Sequence, residues 1–324
     1  MNEATILTDL IVQGYGIQVA SLAPLFSSTG KRIYSVEQPG GERWVLRAYH
    51  QADSNTANPL ALATLLLFLE RHEYPAERVV RDLHNESLVM HDGWQLLMTT
   101  FIDGSEADNA PATLQQLGAQ LGRLHALETV TSTELPVAEM LPAPELAYAL
   151  SQLTGVTHQV PQDLVSRYQM LVEAIHSIDH CEGLPTVIIH NDCHLVNAVR
   201  TPTGKMMLID WEGAGLGTAV IDVGFLLVSS QPSSLATGES HLDSERINAV
   251  IDGYCQYHVL TPVELDRLPA SIRFRSLVYG ACSFARAIAE QRPEYPSEMR
   301  WWWTRYTAAE GIANLARKRF ELYL

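Results

Sequence analysis

Polar side chains interrupt an apolar strand pattern between residues 187 and 199, which read VIIHNDCHLVNAV. A second apolar run, MMLIDWE from Met206 to Glu212, follows and ends in acidic residues. The apolar runs predict short strands with the polar residues in the loop between them. Because strands hold their ends firmly, a loop between them is well suited to position reactive groups.

Three oxygen-bearing side chains in this segment have the spacing of a phosphoryl-transfer site. Asp192 and Asn197 are five positions apart, as in the D-x-x-x-x-N pattern of a kinase catalytic loop. Asp210 lies 18 positions after Asp192, where a metal-binding aspartate would stand. One carboxylate facing a hydroxyl, with an amide and a carboxylate on Mg²⁺, is enough for this chemistry, because the protein mainly positions phosphates and neutralises charge.

The motifs HNDCHLVN and LIDWEGAGLG, followed by Ile221-Asp222, resemble the aminoglycoside phosphotransferase and choline kinase superfamily of small-molecule kinases. Further similarity lies in LLMTTFIDG (residues 96–104), which looks like the hinge of that family, and in LGRLHAL (residues 121–127), which looks like its first large-lobe helix. The resemblance implies an α+β, protein-kinase-like bilobal fold. A β-rich N-lobe is expected over residues 1–103 and a mainly helical C-lobe over residues 104–324.

The same resemblance implies roles for the motif residues. Asp192 is expected to act as catalytic base or hydroxyl-orienting carboxylate, and Asn197 and Asp210 are expected to bind Mg²⁺. Supporting positions are expected for His190, His194, Glu212 and Asp222, with Asp222 holding the catalytic loop by hydrogen bonds. The expected donor is ATP or GTP, and the expected acceptor is a hydroxyl of a small molecule such as an aminoglycoside or amino alcohol.

The first hundred residues predict an antiparallel sheet with one helix. The expected strands and helix are, in order, residues 17–25, 31–37, 43–49, the helix 59–71, and strands 87–90 and 94–101. Arg47 stands where the kinase strand lysine would bind phosphates. The residues expected to bind the nucleotide are Ser27, Ser28, Gly30, Arg47, Thr99 and Phe101.

One position departs from the kinase pattern. The helix glutamate that should pair with Arg47 falls at or near Leu62, and Glu70 is a distant substitute. Either the alignment is displaced here or the pair is absent. An absent pair would favour a second reading of the chain, a catalytically weak or inactive kinase-like module that binds nucleotide.

The remainder of the chain is predicted to be largely helical. Long apolar periodicity covers residues 113–127, 162–179, 243–258, 262–292 and 299–323. Three consecutive tryptophans, Trp301 to Trp303, could form an aromatic box for a quaternary ammonium group. Since consecutive residues do not share one helix face, packing between helices is the simpler interpretation.

Composition excludes several other classes of protein. Lys+Arg 22 against Asp+Glu 37 gives a net charge of −15, which argues against a nucleic-acid partner. That charge is compatible with a cationic acceptor, although a solvated acidic surface is the simpler explanation. The apolar stretch from Leu60 to Leu69 is too short to span a bilayer and the N-terminus lacks the pattern of a signal peptide, so a cytoplasmic protein without membrane contacts is expected. The oligomeric state does not follow from the sequence.

Two other chemistries remain open at the motif. His190, Asp192 and His194 alternate and would lie on one face of an extended strand, where they could bind zinc or iron. That interpretation leaves Asn197 and Asp210 without a role. A protein kinase would need an A-P-E segment after Asp210, and the sequence has none.

Overall fold

The computed structural model describes residues 2–28, 31–53, 58–127, 135, 137–232, 241–292 and 295–324. The strands are β1 Ser21–Ser28, β2 Lys31–Glu37, β3 Arg43–His50, β4 Val89–His91, β5 Trp94–Thr100, β6 Ser105–Glu106, β7 Thr186–Ile189, β8 Ala198–Arg200, β9 Met206–Leu208 and β10 Gly215–Thr218. The helices are α1 Glu3–Tyr15, α2 Pro59–Arg71, α3 Pro111–His125, α4 Pro142–Gly155, α5 Val165–Ser177, α6 Ala219–Ser229, α7 Ser244–Tyr254, α8 Pro262–Asp266, α9 Leu268–Ala289 and α10 Tyr295–Phe320.

The chain forms two compact units. The first consists of Met1–Ser105, Val130–Ala138 and Val199–Glu212, and the second of Glu106–Thr129, Glu139–Ala198 and Gly213–Leu324. The first unit holds most of the β-structure, and the second holds eight of the helices just named. The segment that carries Asp210 and Glu212 belongs to the first unit, although it follows the catalytic-loop motif closely in sequence.

A five-stranded antiparallel sheet forms the centre of the first unit, in the order β1-β2-β3-β5-β4. On β3, Leu46 and Ala48 pack into one core with Leu7 and Ile11 of α1. Because successive side chains of a strand point to opposite faces, Arg47 is directed to the other face of the sheet. The strand pattern thus places one buried cation on the face away from α1.

Helix α2 has the bounds predicted from its leucine-rich pattern. The Asn58 side chain accepts a hydrogen bond from the Ala61 amide at 3.0 Å, and Pro59 occupies the first turn, where its missing N–H costs nothing. Leu62, the position at which a glutamate partner for Arg47 was expected, is buried among the other leucines of this helix. It contributes about 1.5–3 kcal/mol through burial of its apolar surface.

Glycines allow α3 and α7 of the second unit to approach closely. A Cβ atom at Gly118 or Gly122 of α3 would overlap the α7 backbone, and one at Gly253 of α7 would overlap the α3 backbone. This approach brings His125 of α3 against Tyr254 of α7, with His125 Nδ1 2.8 Å from the tyrosine hydroxyl. The glycines therefore position a buried pair of polar side chains next to the candidate site.

Several helices differ from the sequence-based expectation. The periodicity did not predict α1, α4 or α6. The long helix expected over residues 262–292 is two helices, α8 and α9, because Pro269 lies in the first turn of α9 and cannot continue a preceding helix. In the described part of the chain, no helix combines the length and apolarity needed to cross a bilayer.

Candidate active site

The loop after β7 is held by Asp222, a fully buried residue in the first turn of α6. Its Oδ2 accepts a hydrogen bond from the His190 amide and its Oδ1 accepts one from the Asn191 amide, each at 2.7 Å. A carboxylate near a helix N-terminus is stabilised by the helix dipole, which suits Asp222 to this task. Both carboxylate oxygens thus fix the backbone just before Asp192.

Asp222 is itself held in place by a buried histidine and a buried tyrosine. His125 Nε2 lies 3.3 Å from Asp222 Oδ2, and the other ring nitrogen of His125 contacts the Tyr254 hydroxyl. His125, Tyr254 and Asp222 are all buried. Charge-assisted hydrogen bonds in a buried network restrict the orientation of every member, so the loop rests on a rigid base.

Asn191 is anchored by Arg275 of α9. The Arg275 guanidinium donates to the Asn191 carbonyl oxygen at 2.7 Å, and it also contacts the Asn191 side-chain oxygen and the Glu145 carboxylate. Asn191 has φ 64°, in the left-handed region that Asn tolerates better than most residues. The loop therefore turns sharply at Asn191 and presents the next residue, Asp192.

Three side chains contact the Asp192 carboxylate. Asn197 Nδ2 donates to Oδ2 at 2.7 Å, and the Tyr279 hydroxyl donates to Oδ1 at 3.1 Å. His194 Nε2 lies 3.7 Å from Oδ2. Asp192 and Asn197, which sequence spacing had paired, are thus in direct contact.

These contacts keep Asp192 ionised. Burial alone would raise its pKa, but His194, Asn197 and Tyr279 outweigh that effect and lower the pKa to about 2. A carboxylate with so low a pKa is a weak proton acceptor and a strong hydrogen-bond acceptor. Its environment therefore favours orientation of a hydroxyl over early removal of its proton.

Asp210 follows β9 in the first unit and is exposed. Its φ of 63° is unusual for a residue other than glycine, and such conformations persist where the surrounding structure enforces them. The enforcing neighbour is Trp211, which is 1% exposed and donates from its indole to the Leu208 carbonyl oxygen at 3.1 Å. The bend at Asp210 is therefore built into the first unit.

Arg47 has a glutamate partner, but not one from a helix. Its Nη2 donates to Glu77 Oε1 at 2.8 Å and its Nη1 to Glu77 Oε2 at 3.2 Å, a bidentate pair. Glu77 lies in the segment after α2, so the alignment that placed the partner near Leu62 is wrong. Arg47 is 4% and Glu77 3% exposed, which makes this a buried ion pair.

Glu212 joins the same cluster from the segment that carries Asp210. It accepts from Arg47 Nε at 3.1 Å and from the Tyr49 hydroxyl at 3.3 Å, and it pairs with Lys31. Burial would lower the pKa of Arg47, but Glu77 and Glu212 outweigh it and raise that pKa. The first unit thus carries two cations held by two carboxylates on one face of its sheet.

The donor set suits a hard cation better than a transition metal. Within the described residues, no three His, Cys, Asp or Glu side chains are arranged to hold a metal, and His190, Asp192 and His194 do not form such a group. Mg²⁺ prefers oxygen ligands, and the amide of Asn197 in the second unit and the exposed carboxylate of Asp210 in the first each carry such an oxygen.

The family comparison identifies the chain. A family model described as the phosphotransferase enzyme family matches residues 23–262. This range contains the catalytic-loop motif and every residue of the candidate site described above except Arg275 and Tyr279. The chain belongs to the phosphotransferase enzyme family. No curated protein sequence matches it significantly.

Solved structures with a similar fold include several small-molecule kinases. An amicoumacin kinase in complex with AMP-PNP, Ca²⁺ and Ami has a TM-score of 0.68 at 17% identity, covering 97% of this chain and 94% of that one. A spectinomycin phosphotransferase in complex with ADP and spectinomycin has a TM-score of 0.66 at 12% identity, covering 99% and 98%. A microcompartment-associated aminopropanol kinase has a TM-score of 0.62 at 17% identity, covering 97% and 99%. The expected α+β, kinase-like fold is therefore confirmed.

The residues predicted to bind nucleotide differ in their accessibility. Ser27 is exposed at the end of β1, whereas Gly30 and the Ser28 side chain lie outside the described residues. Phe101 is half-buried, with the Arg43 guanidinium 4.1 Å from its ring centre. The Thr99 side chain is fully buried, donates to Glu77 at 2.7 Å and accepts from Arg47. These contacts orient the ion pair.

Sequence reasoning missed the long-range partners of the site. Glu77, Tyr279 and Lys31 each contact a candidate residue that is far away in sequence, for example Tyr279 and Asp192 at a separation of 87. Arg275 instead contacts Asn191, the neighbour of Asp192 in the loop. None of them stands in a recognisable local motif. Only Glu77 was open to inference, since a buried strand arginine requires a carboxylate nearby.

Proposed function

We propose that this chain is an ATP-dependent kinase that transfers the γ-phosphate to a hydroxyl of a small molecule. The observation that carries the proposal is the ionised Asp192 carboxylate, which accepts hydrogen bonds from Asn197 and Tyr279. Asp222 accepts a backbone hydrogen bond from the same loop and fixes it in place. Membership in the phosphotransferase enzyme family supports the reaction class. ATP is the proposed donor because related folds were solved with AMP-PNP and ADP.

In the proposed reaction, the acceptor hydroxyl donates a hydrogen bond to Asp192. The hydroxyl oxygen forms a bond to the γ-phosphorus while the bond from that phosphorus to the β,γ-bridging oxygen breaks, leaving ADP. Because the low pKa of Asp192 makes it a weak proton acceptor, the hydroxyl proton passes to it only late, after the hydroxyl oxygen has largely bonded to the phosphorus and become more acidic. Mg²⁺, held by Asn197 and Asp210, would neutralise charge on the phosphates.

The proposal gives different tasks to the two lobes expected from the sequence. The N-terminal lobe, residues 1–103, would cover the nucleotide, and the remaining residues 104–324 would carry the catalytic loop and bind the acceptor. Arg47 and the more exposed Lys31 are the cations proposed to hold the phosphates. Glu77 and Glu212 would orient both cations before the nucleotide arrives.

The contact between Arg47 and Glu77 weakens the alternative of an inactive nucleotide-binding module. That alternative was motivated by the missing partner of Arg47, and Glu77 supplies that partner. The kinase and the inactive module differ in ADP release. A coupled ADP-release screen over aminoglycosides, macrolides, amino alcohols, sugars and hydroxy acids should find turnover that is absent in Asp192→Asn. Thermal stabilisation by Mg·ATP without turnover on any acceptor would support the module instead.

A further inference from the structure

A cavity of about 620 Å³ lies wholly within the second unit and borders Asp192. Its walls come from the loop after β7 and from helices α6, α9 and α10. Asp192 is the one carboxylate among the described lining residues, whereas Arg286 and Arg305 supply two guanidinium groups. The local charge is therefore opposite in sign to the net charge of −15 of the whole chain.

Arg305 is the unusual member of this lining. It is 2% exposed, and among the described residues neither its Nε nor its Nη1 has a hydrogen-bond partner. Burial lowers its pKa to about 10, so it stays charged at neutral pH. A buried cation without a carboxylate costs several kcal/mol, which is why nearly all such groups are paired.

Aromatic rings connect Arg305 to the proposed catalytic carboxylate. The Arg305 guanidinium stacks on Trp301, 3.4 Å from its ring centre, and Trp301 contacts Trp302 with ring centres 4.3 Å apart. Trp302 contacts Tyr279 at 4.9 Å, and Tyr279 donates to Asp192. Both Trp301 and Trp302 line the cavity, so an apolar aromatic wall separates its anionic and cationic ends.

This arrangement disfavours the aromatic box considered for a quaternary ammonium. One face of Trp301 is already covered by the Arg305 guanidinium, whose positive charge would also repel a ligand cation placed nearby. Trp303 is directed elsewhere, since it stacks on Tyr306 with ring centres 4.7 Å apart. A ligand that neutralises the cavity would bring a negative group, not a positive one.

We infer that the acceptor carries an anionic group, such as a carboxylate, which binds the guanidinium of Arg305 while its hydroxyl donates a hydrogen bond to Asp192. The inference rests on the proposed kinase function for its hydroxyl end and on the cavity alone for its anionic end. Between its hydroxyl and its anionic group, the acceptor has an apolar or aromatic body that packs against Trp301 and Trp302. The acceptor class is therefore hydroxy acids with an apolar spacer.

The test uses benzyl and biphenylmethyl alcohols with one para substituent: a carboxylate, a carboxamide or an aminomethyl group. Binding to the full-length protein is measured by calorimetry without nucleotide, and turnover by ADP release with Mg·ATP. The carboxylate of at least one length should bind about ten- to a hundredfold more tightly than its carboxamide, and the ammonium compound most weakly. Equal or reversed affinities, or no carboxylate binding at millimolar concentration, would overturn the inference.

Arg305→Met should abolish the preference for the carboxylate, because it weakens carboxylate binding by about ten- to a hundredfold and carboxamide binding much less. The matched control is Arg300→Met, an exposed arginine on the same helix, which should keep the preference. If Arg305→Met weakens both ligands equally, Arg305 is only structural and the inference is wrong. Arg305→Lys, which keeps the charge but not the fork, should retain part of the preference and provides a second variant if the first is poorly folded.

The two proposals fail in different ways. Arg305-dependent carboxylate binding without ADP release would leave the anion site intact and contradict the kinase function. Turnover of aminomethyl compounds in preference to carboxylates would support the kinase and contradict the anion site.

Discussion

Two buried arginines, Arg47 of the first unit and Arg305 of the second, show two different environments for the same side chain. Arg47 is 4% exposed and is bound by Glu77, Glu212 and Thr99, whereas Arg305 is 2% exposed with two nitrogens unpartnered among the described residues. Burial disfavours the charge of both, yet carboxylates raise the pKa of Arg47 while that of Arg305 falls to about 10.

The difference indicates two uses of a buried cation. A fully paired arginine is orientated by its partners and contributes to the folded state of its unit. An unpaired arginine on a cavity wall keeps its hydrogen-bonding capacity for a ligand, at a cost in stability. Removal of the Arg47 charge, the Arg305 charge or the Asp192 carboxylate should therefore change stability or catalysis in different and measurable ways.

The largest expected effect is on catalysis at Asp192. Asp192→Asn should lower kcat by about 10²- to 10⁴-fold, because the amide cannot accept the hydroxyl proton. Affinity for Mg·ATP should stay nearly unchanged if the nucleotide is held mainly by the unit that contains Arg47. Both quantities are measurable by ADP release and by calorimetry. Asp266→Asn, an exposed aspartate of α8, serves as the control and should be fully active. Full activity of the Asp192 variant would remove this residue from the mechanism.

Removal of the paired arginine should be the most destabilising of the charge substitutions. Arg47→Met leaves the buried Glu77 without its cation and should lower the free energy of unfolding by about 3–5 kcal/mol, measured by urea denaturation. Arg43→Met removes an exposed arginine from the same strand, whose pair with Asp103 is solvated, and should cost less than about 1 kcal/mol. Similar losses for the two variants would show that the Arg47 pair is not a special stabilising feature.

The low pKa of Asp192 predicts a pH-dependent contribution to stability. Since the folded pKa is about 2 and the unfolded value about 4, ionisation favours the folded state above the unfolded pKa, and this contribution is lost as pH falls from about 4 to 2. The difference in free energy of unfolding between wild type and Asp192→Asn should shrink by about 2 kcal/mol over that range. Denaturation at several pH values would measure it. A difference that does not depend on pH would contradict the contacts with Asn197 and Tyr279.

The smallest expected effect has the opposite sign. Arg305→Met replaces an unpaired buried charge with an apolar side chain of similar length, and it should raise the free energy of unfolding by about 1 kcal/mol. Arg300→Met, the exposed control on the same helix, should change it by less than about 0.5 kcal/mol. Thermal denaturation without ligand distinguishes the two. Destabilisation by Arg305→Met would mean that the guanidinium has structural partners and would remove the contrast with Arg47.

Local patterns predicted the elements of the fold unevenly. The helix at Pro59–Arg71 and the strand at Lys31–Glu37 have the predicted bounds, because each has strong local propensity and clear boundaries. Helix α6 was missed because its sequence, AVIDVGFLLVS, is buried almost all round and has no polar face to mark a helical period. The break between α8 and α9 was signalled by Pro269, but the long apolar periodicity on both sides obscured it.

The residues of the catalytic loop were accessible to sequence reasoning because their chemistry is encoded in short spacing. Asp192 and Asn197 are five positions apart and meet within one loop, so a local motif is enough to pair them. The charge of the cavity was not accessible, and the net charge of −15 pointed in the wrong direction for it. Net charge is a sum over all residues of the chain, whereas the charge of a cavity depends on the few residues that the fold places in its walls.

Residue types and their local order thus indicated the phosphotransferase family and, through that resemblance, the kinase-like fold, because the motifs that carry the resemblance each lie within a short stretch of chain. Tertiary structure alone decided that Glu77 pairs with Arg47 and that Tyr279 contacts Asp192. It also decided that Arg305 stacks on Trp301 with two nitrogens that lack hydrogen-bond partners in the described part of the chain. The physical reason is that the energy of a buried charge depends on groups brought together from distant parts of the chain. The sequence separation of such groups does not indicate that they are in contact.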